Sequence, residues 1–222
     1  MCALNQGKLK ELEPVFYPKS IAIVGTSQDK HKAGYQYVDG LVSTGFEGKI
    51  YPVNTRGGEL LGLRVYPTLS AIPGPVDYVI VSIPRQSVLP LLDKCAAKGV
   101  KAAQFFTAGF TEANDDIGQN LEREMVKKAR QGGFHIIGPN CIGVYCPESR
   151  ISLGSWVALS KAGSVAFLSQ SGGMAISIVE MGLARGIEFS KGVSFGNGSD
   201  LDSIDFLEYF AVDPKTEVIG AY

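Results

Sequence analysis

Short apolar runs that end at a glycine, a proline or a polar turn, alternating with helix-spaced stretches, constrain this chain more than any other feature. Ile21–Val24 is the first run, and it stops at Gly25. Val38, Leu41 and Val42 then mark a helix that ends near Gly45. Lys49–Val53 is the next strand, followed by a polar turn at Asn54–Gly58. Val76–Ile83 gives the strongest strand signal and is halted by Pro84. Val88, Leu91, Leu92, Cys95 and Ala96 sit at helical spacing before Gly99, a C-terminal stop. Lys101–Thr107 is a strand ending at Gly109, and Ile117, Leu121, Met125 and Ala129 recur on a helix stopped by Gly132-Gly133. Phe134–Ile137 ends the series at Gly138-Pro139-Asn140. Strand and helix alternating with short joins predict a parallel sheet covered on both faces.

Residues 146–162 break the rhythm with Pro147, Gly154 and scattered polar residues, so a boundary is expected after Cys146, dividing the chain into 1–146 and 147–222. A second alternation follows. Ser164–Leu168 is a strand, Ser169–Gly173 a turn, and Met174–Arg185 a helix apolar on most sides and expected to be buried. Phe189–Val193 is a strand, Asp200 a candidate cap for a helix through Phe210, and Val218–Tyr222 another buried strand. A chain that stops in a central-strand pattern leaves a sheet edge open. The expectation is a fragment, or one part of a larger assembly, with homo-oligomers possible through that edge.

Composition narrows the function. Among 222 residues, 21 Lys and Arg nearly balance 22 Asp and Glu, which predicts no general attraction to nucleic acid or anionic membrane. No apolar run approaches the ~18 residues of a membrane span. The first twelve residues lack the shape of a signal peptide. Cys2, Cys95, Cys141 and Cys146 show no CxxC spacing and suit a reducing cytoplasm as buried or idle thiols. No His, Cys or carboxylate pair has metal-ligand spacing, so no metal site is expected.

Ligands of an open parallel sheet bind beyond the carboxyl ends of its strands, where the strand order reverses. With the strands numbered along the chain, an order 3-2-1-4-5 would set Gly25-Thr26-Ser27-Gln28 against Thr107-Ala108-Gly109 across that crevice. A strand that turns at glycine and feeds a helix offers backbone N–H groups to a phosphate. The loop is not GxGxxG, since no second glycine occurs before Gly34, and a purely structural turn is the competing reading. The second strand ends in Asn54, Thr55 and Arg56, not the acidic residue that holds an NAD ribose. Arg56 suits a phosphate, which favours NADP or coenzyme A over NAD. A second candidate is Ser169-Gln170-Ser171-Gly172-Gly173, two hydroxyls and two glycines opening a helix. It is not a GxSxG nucleophile turn. His31 lies in a polar loop, and His135 opens a strand as a structural imidazole.

The segments FYPKSIAIVGTS, IYPVN, GLRVYPTLSAIP, VDYVIVSIP, FFTAGF, HIIGPNCIG, VAFLSQSGGM and LEYFAVDPKTEVI occur in this order from about residue 14 onward. In these the chain resembles the N-terminal part of the ADP-forming (NDP-forming) acyl-CoA synthetases and, more distantly, the succinyl-CoA synthetase alpha subunit. The resemblance implies a Rossmann-like CoA-binding domain followed by part of a flavodoxin-like ligase domain. It implies coenzyme A at Gly25, Thr26, Ser27, Gln28, Asn54, Arg56, Ile83, Pro84, Thr107 and Ala108, and a domain junction at Asn140 and Cys141. It implies a phosphate held by Ser169, Ser171, Gly172 and Gly173. Family enzymes join an acid to CoA at the expense of ATP through an acyl phosphate and a phosphohistidine. The family's histidine lies downstream of these motifs, so no catalytic residue is expected here. ATP, ADP and Mg are expected on an ATP-grasp domain or subunit. Ile176 stands where succinyl-CoA synthetases carry a substrate-contacting tyrosine, so a succinate-type acid is not implied. A stand-alone CoA-responsive module and an NADP-dependent oxidoreductase are the rival readings.

Overall fold

The computed structural model describes residues 6–222, so Cys2 lies outside the described residues. Helix α1 (Gln6–Phe16) leads into strand β1 (Ser20–Val24), helix α2 (Ala33–Ser43) and strand β2 (Lys49–Val53). A hairpin of β3 (Gly58–Leu60) and β4 (Leu63–Val65) follows. Then come β5 (Tyr78–Val81), α3 (Val88–Lys98), β6 (Ala102–Phe105), α4 (Asp116–Gly132) and β7 (His135–Ile137). Strands β1, β5 and β6 are buried along their whole length, as strands covered on both faces must be.

The parallel sheet runs β2-β1-β5-β6-β7, which is 2-1-3-4-5 and not the expected 3-2-1-4-5. The strand beside β1 on the far side from β2 is therefore β5, and the crevice at the order reversal lies between β1 and β5. Apolar runs are interchangeable in a sequence pattern, so the alternation alone does not choose a neighbour.

The second sheet takes β8 (Gly143–Tyr145), β9 (Ala162–Ser169), β10 (Phe189–Ser194) and β11 (Val218–Ala221) in the order β11-β9-β10-β8. Helix α5 (Gly172–Ala184) follows β9, and α6 (Ser203–Val212) follows β10. Only β8 is antiparallel. It precedes Cys146, on the near side of the expected boundary, yet pairs in the second sheet. Two expected burials fail. In α5 only Ala175, Val179 and Gly182 are buried, and Met181 is 48% exposed, because the helix lays a single face on its sheet. Strand β11 is an edge strand with Val218 55% exposed.

Helix caps follow local chemistry. Gly99 and Gly133 adopt the left-handed conformation that ends α3 and α4. The buried face of α4 is Gly118, Glu122, Met125 and Ala129, while Ile117 is 63% exposed. A Cβ on Gly118 would lie 2.2 Å from the Phe110 carbonyl oxygen, so the glycine draws that face inward. The cap of α6 is Asp202, not Asp200: its carboxylate accepts from the Ile204 and Asp205 amides in a capping box with Asp205. Asp200 instead accepts from the Ile136 amide at 3.0 Å and faces His135 Nδ1 at 3.4 Å. Burial raises its pKa, but the bonds from His135, Ile136 and Arg130 outweigh this and leave it lowered. His135 also meets Glu11 through Nε2, which makes it the structural imidazole expected.

The two sheets share one core. Leu12, Val15 and Phe16 of α1 cross to the second sheet, where Phe16 stacks on Tyr209 of α6 at 4.8 Å between centroids. That cluster continues through Ile21 and Ile23 of β1 to Ala166 and Leu168 of β9. Removing the α6 cap with Asp202→Ala is expected to cost about 1 kcal/mol, seen as a lowered urea midpoint at unchanged slope.

Candidate functional site

At the reversal point the connection after β1 leaves toward β2, and the connection after β5 leaves toward β6. A cleft of about 680 Å³ opens there. One wall is Gly25, Thr26, Ser27, Gln28, Asp29 and Lys32, between β1 and α2. A second is Asn54, Thr55, Arg56 and Gly57, past β2, and a third is Ser82, Ile83 and Pro84, past β5. Leu60 and Val65 of the hairpin close one side. The structure thus gathers Gly25, Thr26, Ser27, Gln28, Asn54, Arg56, Ile83 and Pro84 around one cavity. Thr107 and Ala108 lie outside its lining, one strand further along, where the Thr107 hydroxyl donates to the Ile83 carbonyl at 2.8 Å.

The turn is held by close packing. Gly25 has φ +100°, and a Cβ there would sit 2.4 Å from the Ser82 carbonyl oxygen. A Cβ on Gly34 would sit 2.2 Å from the Gly25 carbonyl oxygen. Two glycines nine positions apart thus perform the turn and close-packing roles that a GxGxxG run compresses. The Gly25 and Thr26 amides both donate to the Val53 carbonyl, at 3.0 and 3.2 Å, so they are not the free donors the sequence suggested. The Ser27 and Gln28 amides make no hydrogen bond among the described residues, and they fall on the cleft wall.

The neighbouring loops fix this geometry. Asn54 Nδ2 donates to the Thr26 carbonyl at 2.6 Å, and Asn54 Oδ1 accepts from the Arg56 amide at 2.9 Å. Asn54 therefore ties the two loops together and aims the stretch carrying Arg56. Gln28 Nε2 donates to the Glu59 carbonyl at 2.6 Å, tying the hairpin to the turn. On the far side, Arg85 donates to the Gly109 carbonyl at 2.5 Å and pairs with Asp115 at 3.2 Å. The Asp115 carboxyl is held below its ordinary pKa by the Gly118 amide and then by Arg85.

Lys32, Ser82 and the hairpin were not singled out from the sequence. Lys32 had a signal, a cation just ahead of the apolar-periodic helix. The hairpin had one in Leu61-Gly62, both at positive φ between two alternating runs.

The second candidate turn opens α5. Ser171 is the N-cap, its hydroxyl accepting from the Met174 amide at 3.4 Å. The Ser169 hydroxyl donates to the Ser171 carbonyl at 2.7 Å. The amides of Ser171, Gly172 and Gly173 have no partner among the described residues, and Gly173 is exposed. A Cβ on Gly172 would lie 2.7 Å from the Ile142 side chain, so the turn rests against the chain crossing between the sheets. Asn140 and Cys141 lie on that crossing: the Asn140 amide donates to Thr107 and the Cys141 amide to Phe105. Burial pushes the Cys141 thiol up to about 12, in keeping with an inert side chain.

The arrangement is a cleft with free amides and cations, plus a second amide-rich turn, each suited to anions. Comparison with known proteins identifies the two segments. A model of the CoA binding domain matches residues 19–147, and one of the succinyl-CoA ligase like flavodoxin domain matches residues 162–222. The chain is 38% identical, over 95% of its length, to the alpha subunit of ADP-forming acetate–CoA ligase II from Pyrococcus furiosus, and covers 46% of that subunit. It is 38% identical to ADP-forming acetate–CoA ligase I from Archaeoglobus fulgidus, covering 95% of this chain and 30% of the relative. Among solved structures, acetyl-coenzyme A synthetase 1 from Ca. Korarchaeum cryptofilum, in complex with phosphate and ADP, superposes with a TM-score of 0.90 at 40% identity, over 95% of this chain and 45% of that one. The chain spans less than half the length of these relatives. By these matches it belongs to the family of CoA-binding domains shared with the ADP-forming acyl-CoA ligases, with a succinyl-CoA ligase-like flavodoxin segment behind it.

Proposed function

We propose that this chain is the coenzyme A-binding portion of an ADP-forming acyl-CoA ligase, which interconverts acid, CoA and ATP with acyl-CoA, ADP and phosphate. The observation that carries this reading is the cleft between β1 and β5, whose lining brings the free amides of Ser27 and Gln28 together with the cations Lys32 and Arg56. The pyrophosphate of CoA lies on the turn and the opening of α2, where amides and helix dipole act together. Arg56 takes the ribose phosphate through its paired N–H groups. Ile83 and Pro84 offer apolar contact, and Thr107 and Ala108 lie further along the strand ends, on the way to α5. Ser169, Ser171, Gly172 and Gly173 hold a phosphoryl group in this reading.

Neither histidine suits a phosphoryl relay. His31 is exposed and outside the cleft lining, and His135 is held between Glu11 and Asp200. The histidine of the reaction is therefore assigned to another part of the ligase, and ATP, ADP and Mg to an ATP-grasp partner. No helix among the described residues is long and apolar enough to cross a membrane, and a cytoplasmic setting fits the substrates proposed. We keep the division of labour near Cys146, where the match to the CoA binding domain ends, although β8 just before it pairs in the second sheet.

Calorimetry with CoA, dephospho-CoA, NADP and NAD tests the reading. CoA is expected to bind, and a response to NADP with none to CoA would overturn it. Arg56→Ala is expected to weaken CoA about tenfold while barely changing dephospho-CoA, and equal loss for both would remove Arg56 from its role. Ser171→Ala is expected to leave CoA affinity unchanged but slow phosphoryl transfer once the rest of the ligase is supplied. A fall in CoA affinity would show that the two turns are wrongly assigned.

A further inference from the structure

Phe106 is the first residue past β6, and it is 36% exposed. It lies parallel to Trp156, with centroids 5.8 Å apart and planes 13° apart. Beneath them Tyr37, which is buried, meets both rings edge-on, Phe106 at 6.0 Å and Trp156 at 5.1 Å. Trp156 rests on Gly154, where a Cβ would come within 2.6 Å of the indole, and Gly154 rests on Gly40 of α2. The rings therefore form a braced shelf with an apolar surface partly open to solvent.

Its position gives it a use. The cleft lies between β1 and β5, β6 is the next strand along the sheet, and Gln104 of β6 donates to the Ile142 carbonyl at 3.0 Å. Phe106 stands at the end of that strand, beside the segment that crosses to the second sheet. At the other end, the Tyr37 hydroxyl donates to the Ile142 carbonyl at 2.9 Å, and the Ile142 side chain is the one against which Gly172 packs. The shelf thus lies on the path between the two anion-binding turns, where the thiol end of a CoA molecule and its acyl group would arrive. Partly exposed parallel rings lose little on being covered and gain by excluding water from an apolar group.

We infer that Phe106 and Trp156 form the acyl-recognition surface, and that it favours acids with an apolar group larger than acetyl. This rests on the CoA reading above, which the same experiment checks separately.

Trp156 is the chain's single tryptophan, so its emission reports on the shelf directly. The whole chain is titrated with CoA, acetyl-CoA and cyclohexanecarbonyl-CoA, following heat and Trp156 emission together. Cyclohexanecarbonyl-CoA is expected to bind about tenfold tighter than acetyl-CoA, as added apolar groups do in a matching pocket, and to shift Trp156 emission to the blue, while CoA leaves it in place. Phe106→Ala is expected to reduce the preference to about twofold with CoA affinity unchanged. Phe106→Leu, which keeps an apolar side chain, is expected to retain most of it. Equal binding of CoA and both thioesters with unshifted emission would overturn the acyl assignment and leave the CoA site standing. Failure of CoA itself to bind would remove both.

Discussion

The contact between Gly25 and Gly34 leaves no room for a methyl group, and the shape of the cleft depends on it. Because the first turn of α2 presses against the carbonyl of the β1 turn, the chain cannot rise over the strand ends between them. It loops outward instead through Ser27, Gln28 and Asp29. The Val53 carbonyl takes the amides of Gly25 and Thr26, so the unsatisfied donors shift two residues along, onto the wall of the cavity. A buried donor without a partner costs free energy, whereas one on a cleft wall is hydrated or meets a ligand. Packing at two glycines therefore decides which amides remain available.

The second sheet is not an appendage to this arrangement. Helix α1, which precedes β1 in the chain, packs on α6, and Leu201 bridges to Ile137 at the far edge of the first sheet. Below α6, the Lys191 ammonium meets the Asp213 carboxylate at 2.6 Å with both side chains almost wholly buried. A buried pair of this kind is weak evidence for stability but costly to break on one side, which favours a single register of β10 against the end of α6. With one hydrophobic cluster spanning both sheets, the spacing between the two candidate turns is set by side-chain packing and not by a free linker.

The alternation of runs was enough to read the parallel sheet, its helices and the glycine stops at Gly99 and Gly133, because these depend on local pattern. The cleft residues Gly25, Ser27, Arg56 and Pro84 could likewise be found, since each ends or follows a strand. What the sequence concealed was set by distant partners. The neighbour of β1 is chosen by how helices cover the sheet, so Thr107 was placed across the crevice and Ser82 was overlooked. Asp200 and Asp202 offer equal caps on paper, and only the nearness of Ile136 and His135 draws Asp200 away. The α5 face was misjudged because composition counts apolar residues without saying how many helix faces find a neighbour. The β3–β4 hairpin was not singled out because its strands are only three residues each, too short to show an alternation.

The two helix openings differ in a way that bears on what each is proposed to hold. At α5 the N-cap is Ser171, which already satisfies one amide and leaves a neutral, amide-rich bowl. At α2 the N-cap is Lys32, with no side-chain bond to the helix. A cation there opposes the helix dipole, an arrangement unfavourable by a few tenths of a kcal/mol or more in an isolated helix. An anion between Lys32, Arg56 and the Ser27 and Gln28 amides reverses the sign of that interaction, since it attracts both the lysine and the helix end. The same residues that weaken the empty turn would therefore strengthen the pyrophosphate binding proposed above, and the first turn is the more strongly charged of the two. Ser171 lacks any such partner cation among its described contacts. Its turn is suited to a phosphoryl group that arrives carrying its own counter-charges.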